Sequence, residues 1–318
     1  MLTLLSNGMK IYILPIDQTC RPDSQANIYP SHNKDFGVEQ DFYQYLLGQK
    51  DLLVQNPAEA DWHYLPVYWT RWHVNHDYGK EGFQELQSQV DKAIIDDKKT
   101  FIICQYDDGP LVNLGKAVVF LSSRMTGTGK DMPLLSNAHE ESLADNSKKY
   151  LASFIGNITS HSIRLAMWEV LKNVSGIYLF NSHKKRSYLA QKLLQLYFVV
   201  RYGGRSAFFV KKTLQSYVAL CPRGYGGSSF RFFEAMQLGV VPFLVGDIDT
   251  RPFKAQINWD TMSFYTSNPA NIMPMLNSVG KAELLIMGKE AKKIYQEKLA
   301  YQKWCPLVIE ELKQYGNN

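Results

Sequence analysis

The feature that most narrows the fold of this chain is a repeated order of two kinds of segment. A short apolar run rich in β-branched and aromatic residues comes first, and a longer stretch with apolar residues at helical spacing follows. "MKIYILP", Met9 to Pro15, reads as a buried strand ending in a proline turn. Gly37 to Gly48 reads as a helix, with Phe42, Tyr45 and Leu46 on one face and Gly48 as its stop. Ala60 to Trp69 reads as a second strand. Gly82 to Ile95 reads as an amphipathic helix with Phe83, Leu86, Val90, Ala93 and Ile94 on one stripe. Thr100 to Tyr106 and Lys116 to Ser123 read as strands three and four. This alternation predicts a parallel sheet with helices on both faces.

The order then starts again. Ser136 to Lys149 is polar and lacks apolar periodicity, so it reads as a linker. Beyond it come a strand at Tyr150–Gly156, a helix at Ser162–Asn173, a strand at Gly176–Phe180 and a helix at Ser187–Arg201. A strand at Ser216–Pro222, a helix at Ser228–Gly239 and a strand at Val240–Gly246 follow, and the chain ends in helical segments from Lys281 to Tyr315. At roughly 100–200 residues per domain, 318 residues accommodate two. The expected fold is α/β: two Rossmann-like halves with parallel sheets, residues 1–143 and 144–318, the second ending in helices.

Composition limits the partners. The formal net charge is +5 and charged residues make up 20% of the chain. That excess suits a small anionic ligand and is too weak for a nucleic-acid binder. The one basic block, Lys184 to Arg186, reads as solvated surface. Cys20, Cys104, Cys221 and Cys305 are far apart without CxxC spacing, which points to reduced core thiols rather than a disulfide framework or zinc site. No stretch approaches the roughly 18 apolar residues of a membrane span. The expected setting is the cytoplasm, of a bacterium or a virus.

The densest chemistry is in "LCPRGYGGSSFRFFEAMQLGVVPFLVGD", Leu220 to Asp247. A strand end meets Arg223, Gly224, Tyr225, Gly226 and Gly227. Ser228 or Ser229 can cap the next helix, and Gly239 suits its C-terminal stop. A glycine-rich loop at a helix N-terminus presents N–H groups and a positive dipole end to an anion. Arg223 and Arg231 suit phosphate oxygens, and the Glu234 carboxylate suits two vicinal ribose hydroxyls. Arg231 and Glu234, spaced i, i+3, also fit an ion pair on a helix surface.

The same stretch, with its continuation Arg251 to Trp259, resembles the donor-domain motif of the exostosin family, glycosyltransferase family 47. The resemblance rests on Pro222–Arg223–Gly224, Ser229–Phe230–Arg231, Glu234–Ala235, Pro242, Pro252–Phe253 and Ile257–Asn258–Trp259. Thinner similarity extends to Met9–Pro15, the segment around Glu39 and Phe42, the acidic–Ala–Asp–Pro stretch before Trp69, "KDMPL" at Lys130, and Tyr150 to Trp168. The family's Gly-Arg-x-His segment before strand three is "DKKT" here, Asp97 to Thr100.

This resemblance implies a GT-B fold and an inverting, metal-independent transfer from a UDP-sugar to a glycan hydroxyl, with no cofactor besides that co-substrate. It implies that Glu234 holds the ribose and Arg164 the diphosphate. Arg223, Gly224, Tyr225, Ser228, Ser229 and Arg231 would line the phosphate loop, with Gly156 letting the backbone approach. Inversion needs one acceptor-side base. The candidates are Asp108 and Asp107, which follow strand three, and then Glu39; each also reads as an ordinary loop or helix-cap carboxylate. Two other readings stand beside this one: a non-catalytic partner subunit, and a metal-dependent transferase using Asp107 and Asp108. "MTGTGKD" lacks the spacing of a P-loop, and His73 with His76 is a weak metal pair. Trp62, Trp69 and Trp72 are candidates for stacking on acceptor sugars or for the core.

Overall fold

The computed structural model describes residues 8–25, 37–139, 147–183 and 187–315. The chain divides into two compact units, Met1–Leu135 with Ala300–Asn318, and Ser136–Leu299. The first holds β1 (Ile11–Ile13), α1 (Val38–Gly48), β2 (Trp62–Tyr64), α2 (Trp69–Asn75), α3 (Phe83–Ala93), β3 (Thr100–Cys104), β4 (Val118–Leu121) and β5 (Lys130–Asp131). Its five strands are parallel in the order β1-β2-β3-β4-β5. The strands are apolar on both sides because helices cover both faces. Phe101 packs edge-on against Phe42 of α1, while the next residue, Ile102, clusters with Trp69, Trp72, Leu86 and Val90 of α2 and α3. Each fully buried side chain of this size contributes roughly 1.5–3 kcal/mol.

The second unit holds β6 (Tyr150–Gly156), α4 (Ser162–Leu171), β7 (Ile177–Asn181), α5 (Tyr188–Tyr202), α6 (Arg205–Leu214), β8 (Ser216–Pro222), α7 (Phe230–Gln237), β9 (Val241–Val245), β10 (Phe264–Thr266), α8 (Ile272–Asn277) and α9 (Lys281–Ile294). Its sheet is also parallel, ordered β10-β9-β8-β6-β7. Phe154, Val218, Leu220, Phe243 and Val245 fill one face with Met167, Leu276 and Leu284 from the helices. Gly239, at φ +70, ends α7 in the left-handed conformation expected of a glycine stop.

The last helix, α10 (Cys305–Tyr315), belongs to the first unit. The expected second half ran through to residue 318, but Trp304 is fully buried and stacks on Phe42, and Trp62 meets Tyr315 edge-on. These aromatic contacts return the chain end to its beginning. The expected junction at 143/144 lies outside the described residues, as does the basic triplet Lys184 to Arg186. Trp69, read as strand, starts α2. Trp62, Trp69 and Trp72 are all buried, so their role is packing rather than an open sugar platform. Among the described residues no helix is long and apolar enough to cross a membrane.

Candidate nucleotide-sugar site

In open parallel sheets, ligands bind beyond the carboxyl ends of the strands, where the strand order reverses direction. In the second unit that point lies between β6 and β8. The chain leaves β6 outward to β7, then returns to build β8, β9 and β10 on the other side. Arg164 spans this point. It sits in the first turn of α4, the helix after β6. Its Nη1 donates to the Asn157 carbonyl at 2.9 Å, its Nη2 to Pro222 at 3.0 Å and its Nε to Arg223 at 2.7 Å. One guanidinium therefore ties the end of β6 to the end of β8, and two of its five N–H groups remain for a ligand.

The glycines fit this arrangement. A Cβ on Gly156 would come within 3.0 Å of the Phe154 ring, and one on Gly224 within 3.4 Å of Arg164 Nη2. Side chains at either position would push into the space around the guanidinium. Burial pulls the Arg164 pKa down to about 10, and the positive charge of Arg231 adds to that effect. It is still a cation at neutral pH. An anion placed here relieves both the desolvation and the repulsion.

Arg223 is spent differently. It is buried, and its Nε and Nη2 donate to the carbonyls of Gly226 and Tyr225, both at 3.1 Å, while Nη1 pairs with Asp247 at 2.5 Å. The Gly224 N–H donates to the Ser228 carbonyl at 3.2 Å. These bonds fold the loop onto its own arginine. Tyr225 is left exposed, whereas Ser228 and Ser229 are buried at the start of α7. Ser229, one of the two serines expected to cap α7, stands at the N-cap position, but its side chain makes no capping bond there.

Glu234, one turn into α7, is buried and doubly engaged. Its Oε1 lies 2.8 Å from His139 Nε2 and 3.4 Å from Ser136 Oγ, and its Oε2 lies 2.5 Å from Arg231 Nη1. The Arg231–Glu234 pair therefore exists, but it is inside the unit rather than on a helix surface. Arg231 also lies over the Phe209 ring, 4.1 Å from its centroid. The later part of the motif supports α7 from behind. Trp259 packs on Phe232 with ring centroids 5.5 Å apart and donates from Nε1 to the Pro252 carbonyl at 2.6 Å.

Two histidines escaped the sequence reading. His139 lay in a polar stretch read only as linker. His161 caps α4, its Nδ1 accepting from the Ile163 N–H at 3.2 Å. Burial and the neighbouring Arg223 and Arg164 lower its pKa, while Asp247 acts in the opposite sense. Its ring is therefore neutral at pH 7, with Nε2–H as a donor beside the arginines.

In the first unit the three candidate carboxylates part company. Glu39 Oε1 accepts from Thr70 Oγ1 at 2.8 Å, the Thr70 N–H at 3.3 Å and the Gln105 N–H at 2.9 Å. It fastens α1, α2 and the end of β3 together. Glu39 is fully buried, its Oε2 has no partner, and burial raises its pKa. Asp107 and Asp108 lie exposed in the turn after β3. Their charges help raise the neighbouring Tyr106 hydroxyl to about 12, behind burial as the main cause.

The weak metal and P-loop readings find structural explanations. His73 Nε2 lies 3.0 Å from the Pro110 carbonyl, and His76 Nδ1 lies 2.7 Å from the Trp72 carbonyl. Lys130 pairs with Glu311 at 3.2 Å and lies over the Tyr315 ring. Among the described residues no group of three or more His, Cys, Asp or Glu is placed to hold a metal ion.

Residues 111–276, just over half of the chain, match the exostosin GT47 domain. The chain belongs to the exostosin GT47 family. The matched segment of this exostosin chain contains the whole Arg164, Arg223 and Glu234 arrangement. Among solved structures the exostosin chain is similar to TarM at 12% identity, with 67% of this chain and 55% of TarM covered and a TM-score of 0.36. It is also similar to sucrose-phosphate synthase from Thermosynechococcus elongatus, at 12% identity over 87% of this chain and 71% of that one, TM-score 0.41. An alpha1,3-fucosyltransferase matches at 14% identity over 92% and 85%, TM-score 0.43. The chain spans little more than half the length of TarM.

Proposed function

We propose that this exostosin chain transfers a sugar from a UDP-sugar to a hydroxyl of a glycan, with inversion and without a metal. The observation that carries the reading is Arg164, a half-buried cation tied across the strand-order reversal, with N–H groups in hand for an anion. In this reading the diphosphate lies against Arg164 and Arg231 and against the N–H groups at the start of α7. His161 Nε2 and the Ser228 and Ser229 hydroxyls complete its shell. Tyr225 lies beside it, and Gly156 and Gly224 leave room for it. Arg223 acts from behind, by holding the loop in shape.

Cleavage of the bond between the sugar and the β-phosphate leaves one further negative charge on the departing diphosphate, which already carries two. Fixed cations and helix-end N–H groups stabilise that charge without reorganising, which is the usual largest contribution to such a barrier. Glu234 receives the ribose. Its carboxylate already holds His139, Ser136 and Arg231, so the ribose hydroxyls take over one of these positions when the nucleotide enters. On the acceptor side Asp108, with Asp107 beside it, takes the proton of the attacking hydroxyl. Glu39 has no route to an acceptor and serves as a structural tie. The four buried, unbridged cysteines fit a reducing compartment such as the cytoplasm.

The test is turnover of a UDP-sugar panel in EDTA with anomeric configuration read by NMR. Product of inverted configuration supports the reading. Retained configuration, or activity restored only by a divalent cation, contradicts it.

A further inference from the structure

Helix α5 points the wrong way round for a surface helix. A helix on a folded domain ordinarily turns its apolar stripe inward and its polar face to water. Of the 15 residues of α5 only Phe198 is buried. Leu189, Leu193, Leu196 and Val200 are 58–78% exposed. At about 100° per residue these four fall within about 60° of one another, on the side opposite Phe198. Gln191 and Gln195 lie toward the Phe198 side instead. Tyr188, Tyr197 and Val199 are also exposed and widen the apolar face.

The charge within this segment of the chain has one sign. From Val170 to Phe233 the sequence contains Lys and Arg but no Asp or Glu. Lys192 and Arg201 flank the stripe on its two sides, and Arg205 begins the next helix; all three are exposed. Lys192 lies over the Tyr188 ring, 4.6 Å from its centroid. An aliphatic and tyrosine stripe with basic flanks is the pattern of a helix lying in the plane of an anionic bilayer surface.

We propose that α5 seats this protein on an anionic lipid surface, its Leu189–Val200 stripe among the acyl chains and Lys192 and Arg201 at the headgroups. A second copy fits the same face less well. Two α5 helices face to face would set Lys192 and Arg201 against their own kind, with no carboxylate in the segment to answer them. Lipid phosphates answer them directly. This inference does not depend on the nucleotide-sugar reading.

The test is flotation of the full chain with phosphatidylcholine vesicles, with and without phosphatidylglycerol. The protein is expected to float with the anionic vesicles, to stay behind with the neutral ones, and to release as salt rises. Leu193→Glu/Val200→Glu is expected to lower the partition coefficient about tenfold or more. Lys192→Glu/Arg201→Glu is expected to abolish the preference for anionic lipid. All four positions are exposed, so an unchanged thermal midpoint is expected for both variants. Wild-type protein that ignores anionic vesicles overturns the proposal, as does equal flotation of wild type and variants. Sedimentation equilibrium showing a wild-type dimer that Leu193→Glu/Val200→Glu splits would give the face to a second copy instead.

Discussion

The imidazole Nε2 of His139 lies 2.8 Å from Oε1 of Glu234, a carboxylate with no exposed side-chain surface. Arg231 holds the other oxygen. The residue proposed to receive the ribose is therefore already oriented, on a rigid helix, by partners of the kind that a sugar hydroxyl can replace. In the proposed role Glu234 is a pre-organised group, and the ribose displaces one of its neighbours.

If Glu234 reads the ribose, the signature is discrimination rather than affinity alone. Glu234→Gln keeps the volume but loses one acceptor oxygen and the charge. UDP affinity should fall about tenfold, in line with the roughly 1.5–3 kcal/mol of a charge-assisted hydrogen bond. The preference of wild-type protein for UDP over 2′-deoxy-UDP should fall with it. Calorimetric titration with both nucleotides reads this. An unchanged preference in a folded variant removes Glu234 from the ribose.

Arg164→Lys tests the arginine at the strand-order reversal. An ammonium presents its donors from one nitrogen and cannot bridge three carbonyls on two strand ends. UDP binding should weaken about tenfold or more, and stability should drop by about 1–3 kcal/mol as carbonyls lose their partner. Denaturant titration alongside calorimetry separates the two effects. A variant that is fully stable yet binds UDP normally would place the phosphates elsewhere.

Asp108→Asn and Glu39→Gln should behave in opposite ways. The first is expected to bind UDP normally and to lose about 10²-fold or more in kcat, the scale of a missing general base. The second should keep its turnover and change only stability. Burial raises the Glu39 pKa, so the folded state binds more protons than the unfolded one above pH 4.5. Wild-type stability therefore falls as pH rises through that window, whereas the glutamine does not titrate. The stability of Glu39→Gln relative to wild type should grow from pH 4 to pH 8. Loss of turnover in Glu39→Gln with none in Asp108→Asn would exchange their roles.

His73 sets a second pH dependence of the opposite sign. Burial lowers its pKa to about 4 from 6.5, with its ring held at the Pro110 carbonyl. Between those values the unfolded chain binds the extra proton. Stability from this residue is present above pH 6.5 and is lost as pH falls toward 4, by about 2–3 kcal/mol. His73→Gln should be less stable than wild type at pH 7.5 and should close much of that gap at pH 4.5. Parallel stability curves for the two proteins would contradict this.

Much of the second unit was legible because its signals are local. "YLASFIG" and "SYVALCP" are continuous apolar runs and become β6 and β8 over the expected residues. The elements missed depend on neighbours rather than on their own sequence. β5 is two residues long and beside an Arg124–Asp131 ion pair, and β10 is three residues at a sheet edge. The return of α10 to the first unit follows from Trp304 meeting Phe42, a contact between chain ends that periodicity does not report. At the site, residue types pointed to Arg223 and Glu234 and the family resemblance to Arg164, but neither gave their division of labour. Only the adjacency of β6 and β8 makes Arg164 a bridge, and only the folded loop turns Arg223 inward. His139 had no signal beyond a lone histidine in polar surroundings.

If the second unit binds a UDP-sugar at the ends of β6 and β8 without a metal, as proposed, the nucleotide alone should bind in a chelator. The most direct measurement is calorimetric titration of the wild-type chain with UDP and a panel of UDP-sugars in EDTA. Saturable binding of UDP in EDTA is expected, with one UDP-sugar bound in preference to the rest. Binding that appears only when manganese replaces EDTA would contradict it, and so would no binding of any member of the panel.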